Sequence, residues 1–89
     1  MSAATITSIT LATAMTAYEL FSAAFSVPRD PRSPAYKQGV LAALKFRIEG
    51  RRILKPYEAG TAEDDAYYAG IAEGHAIWRR TQAESAGAA

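Results

Sequence analysis

The sequence predicts an all-α fold: a small three-helix domain whose last two helices form a hairpin through a Pro-Tyr elbow. Three observations lead there. The chain has 89 residues, is rich in alanine, and is 49% hydrophobic and 21% charged, a composition suited to a packed helical core and unlike that of a disordered chain. Apolar residues recur at three-to-four spacing, the period of a helix with one buried face. Prolines, glycines and hydroxyl residues stand where helices must start and stop.

The elements follow in order. Residues 1–15 form a lead-in that is either extended or a frayed helical start, because Thr5-Ile6-Thr7-Ser8-Ile9-Thr10 is β-branched throughout. Thr16 and Glu19 have the spacing of a capping box, so a helix opens there, with Met15, Tyr18, Phe21 or Ser22, and Phe25 on one stripe. It ends near Val27, since Pro28, Pro31 and Pro34 make 28–33 a connector. Ser33 is the next N-cap and Pro34 takes the first helical position, where its missing N–H costs nothing. Tyr36, Val40, Leu44 and Ile48 follow at four-residue steps, with Leu41 and Ala43 beside them, until Gly50 stops the helix. Ile53-Leu54 folds back on the core and Pro56 keeps Lys55 extended. Thr61 caps the third helix, whose buried side carries Tyr67 or Tyr68, Ile71, Ala72 or His75, and Trp78. Glycines in both later helices permit close approach. The single domain spans 16–82, and 83–89 reads as a small, polar, disordered tail.

Much chemistry is excluded. With no cysteine there is no disulfide framework and no thiolate metal site or nucleophile. His75 is the one histidine, and Glu73, two residues earlier, faces another direction, so neither a two-histidine metal pair nor a histidine triad can be built. Glu63-Asp64-Asp65 lacks the spacing of a calcium loop and suits the positive end of a helix dipole. There is no phosphate-binding glycine loop or nucleophile elbow. An enzyme, a cofactor and a metal are therefore not expected. The uncharged run 3–27 lacks a basic start and carries Glu19, which argues against export or a membrane span and for a cytoplasmic protein.

Charge is informative by position. The formal net charge is only +1, yet 29–55 carries eight bases against Asp30 and Glu49, and 58–73 carries five acids and no base. Arg47, Arg51 and Arg52, with Lys55 on the elbow, are expected at one basic helix end that Arg79 and Arg80 join when the helices pair. Arginines there grip phosphates bidentately, and Tyr57 offers a stacking surface. A plainer alternative is that these arginines complement a helix C-terminus and that the acidic third helix neutralises them within the chain. Phe46, Tyr67, Tyr68 and Trp78 exceed what one small core covers, so one of them is expected at an interface.

The stretch from Tyr36 to Arg80 resembles the ribosome modulation factor family and its small phage and prophage relatives. The likeness lies in a helix, the Lys55-Pro56-Tyr57 elbow, the Gly60-Thr61 restart, and Tyr68-Ala69-Gly70 with Glu73 on the last helix. It covers about half the chain. It departs from the family in having Lys55 where cysteine is common, in its near neutrality, and in the added N-terminal helix. The resemblance implies a non-enzymatic binder that occupies a surface of ribosomal RNA and protein.

Two readings follow. In the first, a phage-type helical protein binds an RNA, a host ribonucleoprotein or an acidic protein surface stoichiometrically through Arg47, Arg51, Arg52, Lys55, Tyr57, Arg79 and Arg80. In the second, it inhibits a host protein complex, as anti-CRISPR proteins do, using Glu58, Glu63, Asp64 and Asp65 to mimic nucleic acid. A self-associating structural protein, a homodimer through exposed aromatics, is a third.

Overall fold

The computed structural model describes residues 15–88 and has three helices: α1, Ala17–Ser26; α2, Pro34–Glu49; and α3, Ala62–Ala88. No strand occurs among the described residues. Except for Met15, the expected lead-in lies outside them.

Each helix begins where its cap dictates. Thr16 Oγ1 accepts from the Glu19 amide at 3.1 Å while Glu19 Oε1 accepts from the Thr16 amide at 2.8 Å, closing the capping box. Ser33 Oγ accepts from the Tyr36 amide at 3.2 Å, and Pro34 fills the first turn of α2. At the far end Gly50 takes the left-handed conformation, φ +72°, and its N–H reaches the Phe46 carbonyl. Thr61 Oγ1 accepts from the Asp64 amide at 3.1 Å to open α3.

α2 and α3 pack backbone against backbone. A Cβ on Gly39 would strike the Tyr67 carbonyl oxygen, one on Gly70 the Tyr36 carbonyl oxygen, and one on Gly74 would lie 2.6 Å from the Val40 carbonyl oxygen. Large side chains therefore flank the crossing. Val40 and Leu44 are fully buried and join Ile77 of α3 with Ala17 and Leu20 of α1 in one core. Removing such a side chain from water contributes about 1.5–3 kcal/mol.

The buried faces match those expected in part, at Val40, Ala43, Leu44 and Tyr67. On α2 they are Ala35, Gly39, Val40, Ala43 and Leu44, whereas Ile48 is exposed. A four-residue step turns about 40° past a full turn, so the stripe from Tyr36 rotates off the core by Ile48. On α1 small Ala17 and Leu20 meet the core, Phe21 and Phe25 are half-buried against each other at 5.0 Å, and Met15 and Tyr18 face outward. On α3 the stripe is Tyr67, Gly70, Gly74 and Ile77, because a close crossing selects glycine where size ranking selects Ile71 and Trp78. Leu54 is exposed, and its carbonyl accepts from the Tyr67 hydroxyl at 2.7 Å. α3 continues to Ala88 through the stretch expected as a tail, and its alanines are the strongest helix formers.

The proline-rich connector is clamped to α3. Both Arg29 terminal nitrogens donate to Glu73 at 2.9 Å, Arg29 also donates to the Ala24 carbonyl at 3.2 Å, and the Tyr36 hydroxyl donates to the same Glu73 carboxylate. The Arg29 guanidinium lies over the Phe25 ring at 4.5 Å. Thus one carboxylate joins the end of α1, the connector, α2 and α3.

Candidate functional site

The basic residues at the end of α2 divide into two faces. On a helix, residues two apart point roughly opposite ways, so Lys45 and Arg47 cannot share a surface.

The first face is a cleft of ≈ 570 Å³ between α2 and the chain that leaves it. Gln38, Leu41, Ala42 and Lys45 form the helical wall, an i, i+3, i+4, i+7 stripe outside the core. Arg51, Arg52, Leu54 and Pro56 form the opposite wall, with Tyr67 between. The connector is held alongside α2 by the Tyr57 hydroxyl, which donates to Gln38 Oε1 at 2.7 Å, and by the Tyr67 hydroxyl on the Leu54 carbonyl. Tyr57 also lies edge-on to Tyr67 at 5.8 Å, so its expected stacking surface is partly used within the chain.

The second face is a ridge of aromatic and cationic groups across α2 and α3. Arg47 Nε donates to His75 Nδ1 at 3.0 Å, and the guanidinium lies 4.7 Å from the Trp78 ring centre. Phe46 meets the His75 ring edge-on at 6.1 Å and is 44% exposed. As an acceptor at Nδ1, the imidazole is neutral and carries its proton on Nε2. Burial first, then the charges of Arg47 and Arg79, hold its pKa below the ordinary 6.5. Arg79 lies one helical turn past His75 on the same face of α3, so Arg47 and Arg79 both border a histidine that sequence patterning left out of the site.

The other predicted residues lie apart from both faces. Lys55 reaches over the Tyr68 ring at 5.2 Å, near the start of α3. Arg80 is exposed. Glu58, Glu63 and Asp65 are exposed around the same end, but Asp64 is 5% exposed and its Oδ1 has no hydrogen-bond partner, so it is withdrawn from that acidic surface.

Among the described residues the acidic segment meets the basic one in a single ion pair, Arg29–Glu73. Among the described residues the ion pairs are Arg29–Glu73 and the exposed Arg51–Glu49, whereas Lys45, Arg47, Arg52, Lys55, Arg79 and Arg80 have no carboxylate within 4.0 Å. The described residues hold no cluster of three histidine, aspartate or glutamate side chains placed for a metal ion, and no helix is long and apolar enough to cross a membrane.

Compared with known protein families, curated proteins and solved structures, the chain matches none.

Proposed function

We propose that this chain is a non-enzymatic binding protein that acts stoichiometrically on a ribonucleoprotein, holding single-stranded RNA against the ridge of Phe46, Arg47, His75, Trp78 and Arg79. The observation that carries this reading is Arg47, without a carboxylate partner, set against His75 and Trp78 beside the exposed Phe46 ring, with Arg79 one helical turn past His75. His75 occupies only the Nε group of Arg47, which leaves the fork of terminal nitrogens for a phosphate. Phe46 offers a face for a base, and the neutral imidazole adds a donor at Nε2. The resemblance to ribosome modulation factors supports the same class of target.

Fluorescence anisotropy with a labelled oligouridine tests the reading. Affinity is expected to fall steeply with salt, and Arg47→Ala and Arg79→Ala are each expected to reduce the salt slope by about one. Phe46→Ala should weaken binding by roughly 1–3 kcal/mol while leaving the slope unchanged. Absent or salt-independent binding overturns the reading.

A further inference from the structure

The cleft beside α2 differs in chemistry from the ridge. Its walls carry an aliphatic strip of Leu41, Ala42, Leu54 and Pro56, with Leu54 61% exposed and Leu41 half-buried, and Lys45, Arg51 and Arg52 gather where α2 ends. No aromatic face is offered to a base, because Tyr67 is 4% exposed and its hydroxyl is committed to Leu54. Nucleic-acid stacking is thus disfavoured there, while an aliphatic group flanked by negative charge is complemented on both counts. Arg52 has no carboxylate partner, and Arg51 has only an exposed one, Glu49, of the weakly stabilising kind.

We infer that this cleft docks an acidic peptide segment of a partner protein, with a leucine-like side chain over Leu41 and Leu54 and flanking carboxylates on Lys45 and Arg52. The wall from Gln38 to Lys45 rises about 10 Å along the helix, the reach of about three extended residues. The recognised unit is therefore short: acidic, aliphatic, acidic. This surface stands independently of the RNA ridge, since Arg47, His75 and Arg79 take no part in it.

Amide NMR of the full chain tests the assignment, using a synthetic peptide of aspartates and glutamates around one central leucine. Shifts are expected at Leu41, Ala42, Lys45, Arg52 and Leu54. Leu54→Ser and Arg52→Glu alter exposed positions, should preserve the spectrum, and should each weaken binding about fivefold to tenfold. Arg47→Ala should leave peptide binding unchanged, which separates this result from loss of RNA binding. Equal binding by the peptide with serine for leucine, displacement from the cleft by oligouridine, cleft shifts that depend on protein concentration alone, or no shift at millimolar peptide would each overturn the inference.

Discussion

Glu73 receives both terminal nitrogens of Arg29 and the Tyr36 hydroxyl, so a single charge on α3 fixes the entry to α2. The hydrogen bonds from Arg29, ahead of the one from Tyr36, hold its pKa below the ordinary 4.5, despite burial acting the other way. A depressed carboxylate pKa contributes stability that is fully present above the unfolded value and lost as pH falls through the folded one. Stability measured by urea unfolding should therefore decline below pH 4.5, and Glu73→Gln should flatten that decline while costing about 1–2 kcal/mol at neutral pH. His75 behaves with the same sign for a different reason: its neutral form is favoured in the fold, so its contribution is also lost as pH drops below 6.5. By NMR its titration midpoint should lie below 6.5 and move upward in Arg47→Ala, because that substitution removes one of the two positive charges opposing protonation.

At the scale of elements, the crossing of α2 and α3 depends on what is missing from three positions. Gly70→Ala gains up to about 1 kcal/mol of helix propensity but forces a methyl into the Tyr36 carbonyl, and overpacking of that kind costs roughly 1–3 kcal/mol or more. It should lower the unfolding midpoint, whereas Gly87→Ala, with nothing within 4 Å of its new Cβ, should be neutral or slightly stabilising. Opposite signs from the same chemical change would show that close approach, and not propensity, decides. The three helix starts and the end of α2 were legible in the sequence because caps are local: Thr16, Ser33, Gly50 and Thr61 each act on atoms a few residues away. The buried faces were less legible. Ranking by size overlooks glycine as a packing residue, and a strict four-residue step drifts away from the core, as Ile48 shows. The placement of the basic residues was less legible for a similar reason. Sequence adjacency joined Arg47 to Arg51 and Arg52, but helical direction sends Arg47 to His75 while the turn after Gly50 carries the other two to the cleft.

Across the described residues most charge is unpaired, with Arg29–Glu73 and Arg51–Glu49 as the ion pairs. Exposed carboxylates at Glu58, Glu63 and Asp65 gather around the start of α3, and the cations of the cleft and ridge surround the end of α2. Neutrality overall hides two regions that each repel themselves, in a body measuring 52 × 28 × 19 Å. Repulsion within a cluster acts over short distances, and attraction between distant clusters is the weaker effect once salt shortens the screening length from about 30 Å at 0.01 M to about 10 Å at 0.1 M. The partly buried ion pair Arg29–Glu73 is sheltered from that screening. Thermal stability should therefore rise modestly between 0.01 and 0.2 M sodium chloride, the reverse of what a surface held by ion pairs would show. Replacing Arg52 and Arg79 by glutamine thins the basic cluster without removing any carboxylate contact, so the double variant should gain less from salt than the parent. An identical salt response in the two proteins would place the repulsion elsewhere, and a fall in stability with salt would mean that cross-chain attraction outweighs it.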